Sequence, residues 1–257
     1  MTTNNISIKT DALTKHFGSL QAVKNLDLEI QVGTRFGFLG PNGAGKTTTV
    51  RMLSGLLKPT SGQARVCGMD ILTQQDQVKA LTGLLPETPG LYSKLSALEF
   101  LEFIGSLNGV DERGLYRRID SLLDILGLEG RQDNYLESYS SGMKQKVLIA
   151  ATLLHEPQLV FLDEPTSRLD PSASSLVKDL ILALARETGT TFFLCTHQTA
   201  LAEDVCNMIG LLIDGRLVAT GSPEDIVESY GGTNLEEAYL NLVGGRVDSK
   251  KLLTWRS

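Results

Sequence analysis

The sequence predicts an α/β fold, and three observations support this class. Short apolar runs of strand length alternate with longer stretches whose apolar residues recur at helical spacing. One strand-like run, Arg35–Leu39, leads directly into a glycine-rich turn and then into a helical stretch. The 257 residues are 42% hydrophobic and 21% charged, so the chain can bury a large core in one domain or two closely packed ones.

The N-terminal part carries mainly β-type segments. Strands are predicted over residues 6–9, 26–30 and 35–39. A helix is predicted over residues 46–57, and the pair Ser61-Gly62 is predicted to form the next turn.

Residues 88–155 are predicted to form a helical insertion. Ser96 and Glu99 have capping-box spacing ahead of a first amphipathic helix. A second helix ends at Gly127, and a third begins at Ser140 or Ser141.

The sheet resumes with predicted strands over residues 159–162 and 190–195. The helix between them begins at Asp170, with Pro171 at its first position. Asp214-Gly215 is a strong hairpin signal between two further strands.

A short helix is predicted after Ser222, and the tail, residues 231–257, has one amphipathic stretch and Trp255 near its end. From the sequence, the tail could pack either on its own domain or on a second copy of the chain.

Composition and charge narrow the functional class. The net charge is −6, from 24 Lys and Arg against 30 Asp and Glu, which argues against a dedicated nucleic-acid binder. No apolar run approaches the ~18 residues of a membrane-spanning helix, and the first residues lack a secretory signal. The three cysteines (Cys67, Cys195 and Cys206) have no metal-type spacing, so reduced thiols in the cytoplasm are expected.

The glycine-rich turn matches the phosphate-binding pattern G-x-x-x-x-G-K-[ST], the Walker A motif. Glycines let backbone N–H groups converge on a phosphate, and the following helix adds its positive N-terminus. Lys46 supplies a charge for the β- and γ-phosphates, and Thr47 supplies a hydroxyl for Mg²⁺. The alternative is a chance glycine turn. The predicted nucleotide-contacting residues are Gly40, Asn42, Gly43, Ala44, Gly45, Lys46, Thr47 and Thr48.

Two adjacent acids follow the apolar run of residues 159–162. Asp163 is expected near the phosphate loop as a Mg²⁺ ligand, because ligands bind at the strand ends of open α/β sheets. Glu164 is expected to act as the general base that polarises an attacking water. The alternative is a solvated turn before Pro165.

Five further motifs in order give a family resemblance. They are Leu85-Pro86-Glu87, residues 139–146 (YSSGMKQK), Leu162-Asp163-Glu164, residues 167–170 (SRLD) and Cys195-Thr196-His197. With the phosphate loop, they make residues 5–230 resemble the ATP-binding subunit of an ATP-binding-cassette (ABC) transporter.

The resemblance implies a P-loop NTPase cassette with a mixed sheet core, an N-terminal antiparallel β part and a helical subdomain insertion. Residues 1–87 and 156–230 would form the ATP-binding core, 88–155 the helical subdomain and 231–257 a tail.

The resemblance also implies roles for residues near the nucleotide. Phe17 would stack on adenine, where the alternative is an inward-facing strand residue. Glu87, where many relatives carry Gln, would sense Mg²⁺ and the membrane partner, where the alternative is a turn acid. His197 would contact the γ-phosphate and orient the water.

Two further sites would act between subunits. Ser140, Ser141 and Gly142 match the signature sequence that contacts the γ-phosphate bound to the opposite subunit, and the alternative is an ordinary helix cap. Asp170 would link the two nucleotide sites, or serve only as a helix cap. The chain departs from the family pattern at Ser141 (usually Gly) and at two other positions: Met143 (usually Gln) and Arg168 (usually Gly).

We therefore expect an ATP-hydrolysing subunit of an exporter, with ATP and Mg²⁺ as cofactors and without nucleic acid. A homodimer or cassette pair would sandwich two ATP molecules on the cytoplasmic face of the membrane. Separate transmembrane permease subunits would contact residues 88–95, including Tyr92. The rival functions are a soluble ABC ATPase without a membrane partner and a regulatory nucleotide-binding module.

Overall fold

A six-stranded mixed sheet lies at the centre of the computed structural model, which describes residues 5–88 and 90–244. Its order is β10-β9-β3-β8-β7-β6, with five parallel strands and β10 antiparallel to β9. Every residue of β7 and β8 is buried, as expected for central parallel strands covered on both faces. The strands are β3 (Arg35–Leu39), β6 (Thr82–Leu85), β7 (Leu159–Asp163), β8 (Thr191–Thr196), β9 (Met208–Ile213) and β10 (Arg216–Gly221).

A second sheet of four antiparallel strands has the order β2-β1-β4-β5. It confirms the predicted N-terminal antiparallel part. Strands β1 and β2 are longer than the predicted segments, because they pair through several register shifts that keep one face buried. The four strands are β1 (Ile6–Phe17), β2 (Leu20–Gln31), β4 (Ser61–Val66) and β5 (Met69–Asp70).

Three helices form the insertion after β6. Helices α3 (Ala97–Leu107), α4 (Glu112–Ile125) and α5 (Ser141–Leu153) pack against one another. The predicted capping box is present: Glu99 N–H donates to Ser96 Oγ at 3.1 Å, and Ser96 N–H donates to Glu99 Oε2 at 2.7 Å. The subdomain boundaries at residues 88, 155 and 230 remain predictions.

Two predictions in the core were wrong in detail. Helix α1 (Lys46–Leu53) is shorter than predicted, because Ser54 caps it and Gly55 takes a left-handed conformation with φ +72°. Ser61-Gly62 begins strand β4 instead of forming a turn. The elements that were not predicted are helices α2 (Gln75–Leu81) and α7 (Thr199–Val205) and strands β4, β5 and β6.

The C-terminal helices pack on the same chain. Asp170 caps α6 (Pro171–Thr188), and Ser222 caps α8 (Pro223–Tyr230), both as predicted. The amphipathic stretch forms α9 (Leu235–Val243), which packs on α7 (Thr199–Val205) and α8. Trp255 lies outside the described residues. Within residues 5–88 and 90–244, no helix has both the length and the apolar character needed to cross a bilayer.

Candidate functional site

The predicted site residues meet where four parallel strands end. Leu39 of β3 pairs with Thr196 of β8, and Leu85 of β6 pairs with Leu162 of β7. The carboxyl ends of these strands therefore lie along one edge of the sheet, where α/β folds bind ligands. A cavity of about 580 Å³ opens there. Its walls include the predicted residues Phe17, Asn42, Gly43, Gly45, Lys46, Thr47, Thr48, Glu87, Asp163, Glu164 and His197.

The phosphate loop needs glycine at two positions. A Cβ on Gly45, whose φ is +109°, would lie 2.3 Å from the carbonyl oxygen of Ala22. A Cβ on Gly40 would lie 2.3 Å from the carbonyl oxygen of Leu212. Both contacts are with backbone, which cannot move away as a side chain can. The glycines thus let the loop curl tightly between β3 and α1.

Lys46 lies folded against this loop. Its Nζ donates to the carbonyl oxygens of Gly40 at 2.6 Å and Pro41 at 3.1 Å. The side chain is buried, so its amino group is held within the loop. A phosphate bound in the loop would meet a positive charge that is already in place.

Asp163 and Thr47 join β7 to α1. The Thr47 hydroxyl donates to Asp163 Oδ2 at 2.7 Å, and Asp163 is only 3% exposed. Burial raises the pKa of the Asp163 carboxyl, and the nearby carboxylates of Glu87 and Glu164 raise this pKa further. The Thr47 bond and the Lys46 charge act in the opposite direction.

This pair fits a Mg²⁺ ion. Both side chains offer hard oxygen atoms, and a cation would offset the cost of burying the carboxylate. Among residues 5–88 and 90–244, no three His, Cys, Asp or Glu side chains cluster to hold a metal unaided. Mg²⁺ at a nucleotide site commonly takes only one or two carboxylates and completes its shell with phosphate oxygens and water.

Glu164 and His197 form a second pair, directly after strands β7 and β8. Glu164 Oε1 accepts hydrogen bonds from the His197 backbone N–H at 2.9 Å and from its ring Nδ1 at 2.7 Å. Glu164 Oε2 accepts from the Thr196 hydroxyl at 3.1 Å. Because an ionised carboxylate only accepts, this arrangement assigns the ring proton to Nδ1 and leaves Nε2 for a ligand.

Phe17 and Glu87 lie at the rim of the cavity. Phe17 is 48% exposed, which contradicts the inward-facing alternative, and Lys15 Nζ lies 5.2 Å from its ring centroid. Glu87 is exposed at the cavity, and its backbone carbonyl accepts from Arg168.

Sequence reasoning missed Leu20, Ala22 and Ser167, which also line the cavity. The proximity of Leu20 and Ala22 to Phe17 in a hairpin was the available signal.

Six of the predicted residues are absent from the cavity lining among the described residues, and two of them, Gly40 and Ala44, belong to the phosphate loop itself. The other four are Ser140, Ser141, Gly142 and Asp170. The Ser140 hydroxyl accepts from Met143 N–H at 3.2 Å, and Asp170 accepts from Ala173 N–H at 2.9 Å. That bond lowers the pKa of the Asp170 carboxyl. Within one chain, Ser140 and Asp170 are helix caps.

The sequence matches known proteins over most of its length. The family described as "ABC transporter" matches residues 23–167. The Nod factor export ATP-binding protein I of Cupriavidus metallidurans is 38% identical, covering 88% of this chain and 74% of that protein. The bacitracin transport ATP-binding protein of Bacillus licheniformis is 39% identical, covering 82% and 68%. The daunorubicin/doxorubicin resistance ATP-binding protein of Streptomyces peucetius is 36% identical, covering 96% and 74%.

Solved structures agree with the sequence matches. An ATP-binding subunit of an ABC transporter superposes with a TM-score of 0.86 at 30% identity, covering 92% of this chain and 99% of that chain. A dimeric ATP-binding cassette in a post-hydrolysis state, bound to ADP and Pi, gives a TM-score of 0.77 at 26% identity, covering 84% and 98%.

Because Asp163 is buried, removing its charge is expected to raise the stability of the chain and to lower its ATP hydrolysis. In Asp163→Asn, the amide oxygen still accepts from Thr47, but the buried charge is gone. Without nucleotide or metal, we expect a Tm about 2–5 °C above wild type at pH 8. ATP hydrolysis should fall at least ~100-fold, because the carboxylate is lost.

The control is the pH dependence of the stability difference between wild type and Asp163→Asn. A raised pKa in the folded state makes the ionised form costly, so wild type loses stability relative to the variant as the pH rises through that pKa. The advantage should shrink as the pH falls toward the ordinary Asp value of about 3.9. Thermal unfolding in EDTA measures the Tm difference between the two proteins and how this difference changes with pH. A variant less stable than wild type at pH 8 would contradict the assignment.

Proposed function

This chain belongs to the ABC transporter family and is an ATPase, and we propose that it powers an exporter as one of two cassettes that close on two ATP molecules. One observation carries the proposal. The phosphate loop and the signature residues Ser140, Ser141 and Gly142 do not line the same cavity. If both contact ATP, they contact molecules bound to different chains, which requires a head-to-tail pair.

ATP binding follows from the residues around the cavity. The phosphate loop holds the phosphates through backbone N–H groups and Lys46, while Phe17 offers its exposed face to the adenine. Thr47 and Asp163 would hold Mg²⁺, with Glu87 beside them. The ion, when bound, neutralises charge on the β- and γ-phosphates.

Hydrolysis is assigned to Glu164 and His197. Glu164 accepts a proton from water as the water oxygen attacks the γ-phosphorus, and the bond from that phosphorus to the β-phosphate oxygen breaks, giving ADP and phosphate. The hydrogen bonds from His197 and Thr196 hold the Glu164 carboxylate in one orientation. With Nδ1–H bonded to Glu164, His197 would contact a γ-phosphate oxygen by donating from Nε2, which requires the doubly protonated ring.

The second cassette would complete the site. Helix α5 begins at Ser141, and its 13 residues give an N-terminus suited to an anion. Ser140–Gly142 of one chain would therefore cover the γ-phosphate held by the other. ATP stabilises the closed pair because only the closed state makes both sets of contacts, and hydrolysis removes that preference.

A groove between the sheet core and the helical insertion is the proposed contact for a transmembrane subunit. It has a volume of about 310 Å³ and is lined by Leu56, Pro86, Phe100 and Ile104 among others. Nearby, Tyr92 is 59% exposed and packs edge-on against Phe103, with ring centroids 5.7 Å apart. Exposed aromatic residues of this kind are enriched in protein interfaces.

The exporter direction rests on relatives. Those described above are named for Nod factor export, bacitracin transport and drug resistance. A position on the cytoplasmic face of the membrane follows if this chain serves a similar permease. These names favour a transporter over an ABC ATPase that acts without a membrane partner.

The ATP-sandwich proposal predicts a trapped dimer. In Glu164→Gln the general base is lost but every nucleotide contact remains, so ATP and Mg²⁺ should convert the chain to a dimer on size exclusion with light scattering. The control is Lys46→Ala in the same background, which should stay monomeric because phosphate binding is weakened. A Glu164→Gln chain that stays monomeric with saturating ATP and Mg²⁺ would contradict the sandwich.

The proposed contact at the groove predicts that a charge at Tyr92 weakens association with the membrane. Tyr92→Asp should reduce the fraction of the chain that sediments with cell membranes at least ~10-fold, because a charge would be buried in the contact. ATP hydrolysis by the purified chain should change less than ~2-fold. Tyr116→Asp, at another exposed aromatic on α4, is the matched control. Equal sedimentation of both variants would refute the assigned contact.

A further inference from the structure

Arg168 joins two loops that follow neighbouring strands. Its Nη2 donates to the main-chain carbonyl of Glu87 at 3.1 Å. Strands β6 and β7 are paired, so the Glu87 loop (residues 86–88) and the post-Glu164 loop (residues 165–169) leave the same edge of the sheet. We propose that Arg168 is a positioning residue that fixes the Glu87 loop relative to the post-Glu164 loop and thereby couples the groove to ATP hydrolysis.

The post-Glu164 loop is also held from the helical insertion. The buried Gln145 side chain of α5 donates through Nε2 to the Pro165 carbonyl at 3.0 Å. Gly142, at the start of the same helix, lies against the Arg168 carbonyl, because a Cβ there would be 3.2 Å from that oxygen. Arg168 therefore contacts the Glu87 loop with its side chain and the start of α5 with its backbone.

The other side of this loop reaches Glu164. Ser167 lines the nucleotide cavity, and its backbone N–H and hydroxyl donate to the Glu164 carbonyl at 3.3 and 3.0 Å. Glu164 itself has φ +53°, a left-handed conformation that a non-glycine residue keeps only when its surroundings hold it. A change in the path of residues 165–169 would therefore act on the backbone of the residue assigned as general base.

The Glu87 loop faces two cavities. Pro86 lines the groove between the core and the insertion, and Glu87 lines the nucleotide cavity. A protein segment seated in the groove would press on Pro86, and Arg168 would carry that displacement to Ser167 and Glu164. This step rests on the proposed docking of a membrane subunit, whereas the positioning of Glu87 by Arg168 does not.

The geometry distinguishes positioning from a charge effect. The guanidinium donates to a backbone carbonyl, so the bond fixes the path of the chain at residue 87 whatever side chain it carries. Arg168 is exposed, and one exposed hydrogen bond adds little to global stability. Its loss should therefore appear as local loosening without unfolding.

The first measurement is hydrogen exchange of the full-length chain without nucleotide. Arg168→Ala should speed exchange about three- to tenfold in peptides that contain the Glu87 loop, although the substitution lies some eighty residues away in sequence. Arg168→Lys, which keeps a donor and the charge, should restore part of the protection. The matched control is Arg65→Ala, because Arg65 also donates to a backbone carbonyl, that of Gly68, at an exposed site.

The second measurement is ATP hydrolysis by the same purified chains. Arg168→Ala should lower kcat at least ~3-fold and leave the KM for ATP within ~2-fold of wild type, because Glu164 is displaced while phosphate binding is intact. Arg168→Gln, which keeps amide donors without the charge, should fall between wild type and Ala. Arg65→Ala should match wild type in both constants.

Several results would overturn the proposal. Unchanged exchange in the Glu87 loop of Arg168→Ala would show that the contact does not position that loop. A raised KM with unchanged kcat would show that Arg168 binds phosphate through its charge. Equal effects of Arg65→Ala would show a non-specific origin. Neither measurement uses a membrane subunit, so absence of the proposed docking leaves both results interpretable.

Discussion

The site depends on the register of the parallel strands, which sets where each loop leaves the sheet. Asp163, the last residue of β7, meets Thr47 of the phosphate loop, and Glu164, which follows it with a left-handed backbone, meets His197 after β8. A shift of one residue in the register of β7 would turn Asp163 to the other face of the sheet and displace the turn at Glu164. One carboxylate would then lose its place beside the phosphate loop, and the other would lose its hydrogen bonds to His197.

Much of this arrangement is predictable from sequence, because its signals are local. The glycine pattern, the acids after a buried strand and the caps at Ser96, Asp170 and Ser222 each depend on neighbouring residues. Strand β4 was missed because only Ala64 and Val66 of its six residues are buried, which leaves little periodicity to detect. Helix α1 was predicted too long because the left-handed turn at Gly55 interrupts a stretch that stays apolar to Leu57.

Contacts between distant segments could not be predicted in the same way. The bond from Arg168 to the Glu87 carbonyl requires β6 and β7 to be neighbours, and β6 itself gave no clear sequence signal. The hydrogen bond from Gln145 to the Pro165 carbonyl similarly depends on how α5 packs over the sheet. Both bonds end on backbone atoms, which carry no side-chain identity that a motif could record.

In the proposed ATP sandwich, the division of the nucleotide contacts makes one chain an incomplete unit. The phosphate loop lines the cavity at the edge of the sheet and the start of α5 does not, so the proposal requires two chains to enclose one ATP. The Glu87 loop lies between the nucleotide cavity and the groove. If a membrane subunit docks in the groove as proposed, nucleotide and partner would act on the same few residues.

A disulfide test addresses the ATP-sandwich directly. Two variants would be made in a Glu164→Gln, Cys67→Ser background, where the remaining cysteines are buried. One carries Asn42→Cys in the phosphate loop, and the other carries Ser141→Cys at the start of α5; both positions are exposed. Mixed under mild oxidation, they should form a disulfide-linked dimer with ATP and Mg²⁺, and not without nucleotide. A mixture that forms no such dimer with ATP, or forms it equally without ATP, would contradict the account.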